Sequence, residues 1–316
     1  PRYVCDGERF FRSDRVLTTP SYSAYVKISH GCDNRCSYCA IPLIRGPYHS
    51  RPFAGIVEEC RELAARGVTE ITLIAQDTSR YGNDFPEGKL LLPELLKAVS
   101  DIEGVRWVRV LYCYPDTTDD RLLDAIAALP KVAPYVDLPL QHINGPLLKR
   151  MNRRGSPEWI KSRIAACRER GLTTRTTMIV GFPGETEEAF QELLQFVKEA
   201  RFDRLGAFTY SPEEGTPGAE MPDQIDESVK QRRLDELMTL QQGISLEKNT
   251  ERIGEVCEVL CEGVEDGMYV GRSMREAPES DGVIRFRADG EVAPGKYVNV
   301  RITGADAYDL FGERIS

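Results

Sequence analysis

Three cysteines fall in one short run, Cys32-Asp33-Asn34-Arg35-Cys36-Ser37-Tyr38-Cys39, with the spacing C-x3-C-x2-C. Nine cysteines spread at random over 316 residues would seldom produce such a triple. Three thiolates on one tight loop can hold three irons of a cubane 4Fe–4S cluster, whereas a purely electron-transferring cluster takes four cysteines. The fourth iron is then open to a substrate or cofactor. The residues alone leave a second reading open, a structural zinc ion with His30 or His49 as fourth ligand, although such sites usually combine two separated pairs. The other six cysteines, Cys5, Cys60, Cys113, Cys167, Cys257 and Cys261, have no metal-binding spacing. They read as small buried hydrophobes. An odd cysteine count and a start, Pro1-Arg2-Tyr3-Val4-Cys5, without an apolar core predict a chain of the reducing cytoplasm.

The elements that must position this loop follow a regular rhythm. Short β-branched runs at 24–29, 70–75, 106–112, 135–140, 173–180 and 204–210 predict strands. Amphipathic stretches at 54–66, 118–128, 157–170 and 186–200 predict helices, and Thr186 followed by Glu187 and Glu188 is a helix start with an N-cap hydroxyl. This spacing is that of βαβ units in a parallel sheet. Six units rather than eight predict an α/β fold with a partial (β/α) barrel, and a doubly wound sheet is the alternative. The cysteine loop follows the first strand directly, at the C-terminal rim where such barrels place their sites. A charged helix over 227–249 comes next, and then five short strands separated by turns such as Asp289-Gly290 and Pro294-Gly295. These predict a small antiparallel β-barrel. The expected division is a linker or remnant of a preceding domain over 1–22, the partial barrel with its C-terminal helix over 23–250, and the small barrel over 251–316.

The cysteine loop, with aromatic Tyr38 just before the third cysteine, resembles that of the radical S-adenosylmethionine (SAM) enzymes. Partial barrels of six strand–helix units are typical of that superfamily. The resemblance implies a 4Fe–4S cluster on Cys32, Cys36 and Cys39 whose open iron chelates SAM, and reductive cleavage of SAM to a deoxyadenosyl radical. It narrows to the methylthiotransferases through residues 177–186 (TMIVGFPGET), 210–217 (YSPEEGTP), 138–142 (LPLQH) and 151–154 (MNRR). Ala277-Pro278-Glu279-Ser280-Asp281-Gly282 and Tyr308-Asp309-Leu310-Phe311-Gly312-Glu313 resemble the RimO family. That family methylthiolates the β-carbon of an aspartate in protein twelve of the small ribosomal subunit, and the small barrel would be its TRAM domain. Family members normally begin with a further domain carrying a second 4Fe–4S cluster implicated in sulfur delivery. This chain shows no such cysteines, so the expectation is that it binds and cleaves SAM without transferring sulfur.

Polar groups at the predicted strand ends are the expected contacts of SAM. Tyr38, Gln76, Gln141, Arg175 and Gly181 are the candidates, with Asp77 and His142 beside them. For each the alternative is helix capping or a structural hydrogen bond. Backbone N–H groups of the 181–185 turn are expected near the adenine.

Charge bears on the partner. The chain carries 41 Lys and Arg against 50 Asp and Glu, a net charge of −9, which argues against a general nucleic-acid coat. Residues 252–316 hold eight Lys and Arg and thirteen Asp and Glu, a net of −5. RNA affinity draws on basic groups, so this module is a poor RNA platform and suits a basic ribosomal protein. A tRNA adenosine methylthiotransferase is the alternative enzyme, and a metal-stabilised binding module without catalysis is the alternative of another class. Lys149, Arg150, Arg153 and Arg154 form the dense basic cluster, read as a solvated helix face or a ribosomal RNA contact. No apolar run reaches the roughly 18 residues of a membrane helix, and no residue pattern names the electron donor.

Overall fold

The computed structural model of the protein describes residues 16–315, so Cys5 and most of the expected 1–22 segment lie outside the described residues. Six strands, β1 (Ser23–Lys27), β2 (Glu70–Ile74), β3 (Trp107–Val110), β4 (Tyr135–Asp137), β5 (Thr173–Val180) and β6 (Arg204–Thr209), alternate with helices. The helices are α1 (Phe53–Ala65), α2 (Leu92–Ser100), α3 (Asp120–Ala128), α4 (Pro157–Glu169) and α5 (Glu187–Ala200), and a long α6 (Glu227–Thr250) follows β6. All strand pairs are parallel and follow chain order, β1-β2-β3 and β4-β5-β6. A parallel bridge between Val108 and Val132 joins the two halves, and the Cys113 N–H donates to the Asp137 carbonyl at 2.9 Å. A doubly wound sheet would reverse its strand order. Here the order never reverses, and the sheet curls into a partial barrel.

Strand alternation sorts the side chains. Val26, Leu73, Val108, Val136 and Met178 pack outward against Ile56, Leu96, Leu123, Ile164 and Phe190 of the helices. Of the intervening residues, Arg109 pairs with Glu70 and Arg175 with Asp137, while Tyr25 packs with Ile74, Leu111 and Tyr135. Thr186 caps α5 by accepting from the Ala189 N–H, as its sequence predicts.

The second unit has strands β7 (Val256–Glu265), β8 (Met268–Arg272), β9 (Ile284–Arg287), β10 (Tyr297–Ala305) and β11 (Leu310–Arg314). They close in the order β8-β9-β11-β10-β7 around Val259, Phe286, Val300, Ile302 and Leu310. The expected barrel is antiparallel throughout, but β9 and β11 run parallel. A closed ring with an odd number of strands cannot alternate direction all the way round, so one pair must be parallel.

Residues 273–282, between β8 and β9, reach the N-terminal ends of the large barrel's strands. Arg272 meets Glu70 at 2.8 Å, Arg109 donates to the Met274 carbonyl at 2.9 Å, and the Tyr135 hydroxyl donates to Asp281 at 2.7 Å. The segments 277–282 and 308–313 also meet each other. A Cβ at Gly282 would lie 1.9 Å from the Tyr308 carbonyl oxygen, and the Val283 N–H donates to Asp309 at 2.9 Å. Among the described residues no helix is long and apolar enough to cross a membrane.

Candidate metal and cofactor site

The cysteine loop leaves β1 at the opposite, C-terminal end of the barrel. It is bracketed by a short ladder pairing Ser29–His30 with His49–Ser50. Gly31 makes the turn at φ +73°, and a Cβ there would lie 2.0 Å from the Pro47 carbonyl oxygen. Side-chain bonds hold the rest of the loop. Asp33 accepts from the Tyr48 N–H at 3.1 Å, Asn34 donates to Asp77 at 2.8 Å, and Ser37 donates to the Arg150 carbonyl at 2.8 Å. Asn152 donates to the Arg35 carbonyl at 2.8 Å. Asp77, expected at the rim, therefore orients the loop. Gly31→Ala should cost about 2 kcal/mol or more, because alanine meets both the left-handed penalty and the Pro47 backbone. A thermal melt unchanged from wild type would refute this.

Cys32, Cys36 and Cys39 open onto one cavity of about 420 Å³ together with Tyr38, Gln76 and Gln141. Burial pushes the Cys32 thiol up to about 11 and raises Cys39 as well. Such thiols stay protonated at neutral pH until a metal ionises them. Among the described residues no three His, Cys, Asp or Glu side chains converge on a point fit for one ion. His30 Nδ1 instead lies 2.6 Å from Lys27 Nζ. Thiols spread round a shared wall suit a cluster, whose irons are separate. The Oε1 atoms of Gln76 and Gln141 are buried without a hydrogen-bond partner. Leaving a buried acceptor unpaired is costly, so both oxygens fit the role of acceptors for a bound group's donors. Gln141 also sits at φ +72°, pinned by bonds from its N–H to the Thr177 carbonyl and from the Ile179 N–H to its own carbonyl, each 2.8 Å.

The basic cluster divides. Lys149, Arg150 and Arg154 are exposed, but Arg153 turns inward, correcting its reading as part of a solvated face or RNA contact. Its guanidinium lies 4.0 Å from the Tyr114 ring centre, 3.9 Å from Cys36 Sγ and 3.4 Å from the Tyr38 hydroxyl. It also donates to the Pro139 carbonyl. The 151–154 motif was the signal for it.

Two candidates lie elsewhere. Arg175 lies 3.2 Å from Asp137 and 3.5 Å from Asp281, beside a second cavity of about 330 Å³. Gly181 faces α6, where a Cβ would lie 2.2 Å from Lys230 Cγ. Its N–H donates to Glu185, the Gly184 N–H to the Asp223 carbonyl, and the Glu185 N–H to the Phe182 carbonyl. The N–H groups of Gly181, Gly184 and Glu185 are thus taken up within the protein. His142 is structural: Nδ1 accepts from the Asn144 N–H at 3.0 Å, which leaves the proton on Nε2, 3.1 Å from Glu185. Cys60, Cys167 and Cys261 are buried, Cys113 is buried at the cavity wall, and Cys257 is half-buried.

Comparison with known proteins agrees with this arrangement. Residues 26–197 match the Radical SAM superfamily and residues 253–315 the TRAM domain. The chain is 50% identical over 300 residues to "Ribosomal protein uS12 methylthiotransferase RimO" of Caldanaerobacter subterraneus subsp. tengcongensis, covering 95% of this chain and 69% of that protein. It is 53% identical over 304 residues to the protein of the same name from Heliobacterium modesticaldum, covering 95% and 66%. Coproporphyrinogen III oxidase (HemN) from Escherichia coli, described as a radical SAM enzyme, shares the fold at TM-score 0.53 and 17% identity, over 79% of this chain and 64% of that one. Its contribution is to the fold alone. The chain belongs to the radical SAM superfamily and, within it, to the RimO family of methylthiotransferases.

Proposed function

We propose that Cys32, Cys36 and Cys39 hold a 4Fe–4S cluster, that Tyr38, Gln76, Gln141 and Arg153 line the SAM site, and that the target is an aspartate β-carbon of ribosomal protein uS12. One observation carries the cofactor reading: three thiols share a single cavity with two buried amide oxygens that have no partner. When bound, the cluster and SAM supply a deoxyadenosyl radical able to abstract hydrogen from an unactivated carbon. The chain's own residues bind, orient and exclude water. Gln76 and Gln141 accept hydrogen bonds from the cofactor, Arg153 places a fixed cation beside Cys36, and Tyr38 and Tyr114 keep that side of the cavity dry.

The small barrel supports a basic protein partner. Several of its acids are taken up inside the molecule: Glu276 by Arg252 and Arg204, Asp281 by Arg175 and Glu262 by Arg272. Glu265, Asp266, Asp289 and Glu291 stay exposed. A bond at 3.2 Å from the Tyr269 hydroxyl to the Gly290 carbonyl draws their two turns together. That patch would steer a basic ribosomal protein and repel RNA.

The test uses the whole gene product, reconstituted anaerobically with iron and sulfide and given SAM, a reductant and a sulfur source. Ribosomal protein uS12 and tRNA are offered in parallel. A methylthio mass increase on an aspartyl peptide is expected, and an increase on tRNA alone would overturn the substrate reading.

A further inference from the structure

Among the described residues that line the thiol-bearing cavity, Tyr112 alone is exposed, at 48%. It lies two residues beyond β3, and its chain neighbours Leu111 and Cys113 are buried. One aromatic side chain therefore stands out from a covered stretch of wall. The backbone there is left-handed, with φ +62°, a conformation that is unusual and costly for a bulky residue. Hydrogen bonds hold it from both sides. The Tyr112 N–H donates to Asp137 Oδ2 at 2.9 Å, and the Tyr112 carbonyl accepts from the Thr78 N–H at 2.9 Å. Asp137 is itself buried, with its other oxygen 3.2 Å from Arg175. Thr78 follows Gln76, which lines the cavity, and Asp77, which orients the cysteine loop. A glycine would make this turn without strain. Strained residues held by their surroundings cluster at ligand clamps and active sites.

We infer that Tyr112 is a substrate-binding residue, its ring the surface on which the polypeptide carrying the target aspartate packs. The inference rests on the substrate reading given above and adds the contact that seats the peptide. The groups assigned to the cofactor, Tyr38, Gln76, Gln141 and Arg153, are buried or half-buried. A protein substrate reaches the cavity from solvent, and the wall residue it can meet there is the exposed one. An aromatic ring offers a large contact area with only two side-chain torsions to fix, so it binds a peptide chain at small entropic cost. Because the backbone beneath the ring is bonded on both sides, the ring is presented ready for contact and less ordering is left to binding.

The experiment uses the whole gene product, reconstituted as above, with saturating SAM and a fluorescently labelled peptide of the uS12 target loop. Y112A should weaken peptide binding ~10-fold or more and raise the KM for the peptide in the same proportion. The Kd of SAM, from equilibrium dialysis, should stay within about 2-fold of wild type. Y112F keeps the ring and should bind the peptide within about 3-fold of wild type. Y112G removes the ring and the backbone strain together. It should bind the peptide as weakly as Y112A while melting ~1–3 °C above it, because alanine keeps the left-handed penalty that glycine escapes. Iron content and thermal melts check that each variant is folded and loaded. Peptide affinity within about 2-fold of wild type in both Y112A and Y112G overturns the inference. So does a loss of SAM affinity as large as the loss of peptide affinity, since it would assign the ring to the cofactor. Wild type that modifies tRNA and leaves the peptide unbound overturns the substrate reading and this inference together. Wild type that modifies the peptide while Y112A binds it as before overturns the inference alone.

Discussion

Replacing any one of Cys32, Cys36 and Cys39 by alanine should reduce bound iron after anaerobic reconstitution from about four per chain to below about one. Reductive cleavage of SAM should fall to background with it. The loop itself should survive the change, because its shape is set by Gly31, Asp33, Asn34 and Ser37 through bonds that involve no thiol. Melting temperature and far-UV circular dichroism of the metal-free protein should therefore stay close to wild type. Cys257, half-buried in the small barrel, supplies the control: C257A should keep its iron and its broad visible absorption. Full iron retained in C36A would remove the cysteine triple from the cluster.

What the sequence revealed and what it hid follow from the range of the interactions involved. The cysteine triple was legible because its three thiols are local in sequence, and the six strands because β-branched runs recur at βαβ spacing. α2 went unseen. It starts with no side-chain cap at a Leu-rich run before Pro93, which reads as a loop. That Gln76 and Gln141 line the cavity was legible from their places as polar residues at strand ends. Arg153 depends on which way its side chain turns once distant strands are assembled, and a run of four basic residues looks the same whether one of them points in or out. The surroundings of Gly181 were hidden for a related reason. Its motif marks a turn correctly, but Glu185 folds back onto the Gly181 N–H and Lys230 covers the other side. The motifs at 277–282 and 308–313 likewise turned out to join the two barrels and each other.

That junction predicts the largest effect on stability. Glu70, Arg109 and Arg272 are at most 2% exposed, with Glu70 and Arg109 at 0%. Arg272 contacts Glu70 at 2.8 Å, Arg109 approaches it at 3.7 Å, and Ser23 donates to it at 3.0 Å. Glu70→Gln leaves two buried guanidinium groups without their shared carboxylate and should cost about 3–5 kcal/mol. In a chain of this size that is a fall in Tm of about 5–15 °C. Arg272→Met should cost less, because Glu70 keeps Arg109. The effect also carries a pH signature. Burial alone would raise the Glu70 carboxyl, but Arg272, with Arg109 and Ser23, outweighs it and holds the group below its ordinary value. Glu276 in the same interface is likewise opposed by its burial, and Arg252 and Arg204 bring it down from 4.5 to about 2. A depressed folded value means that the stabilisation is complete above the unfolded value and is lost as pH falls through the folded one. Wild-type stability should therefore drop between pH 4.5 and about 2, and E70Q, already lacking one of these carboxylates, should drop less steeply. If R272M proved worse than E70Q, or the gap between wild type and E70Q held constant through that acid range, the junction would owe its strength to apolar contacts. Among these is the edge-on packing of Trp107 against Tyr297, with ring centres 4.8 Å apart.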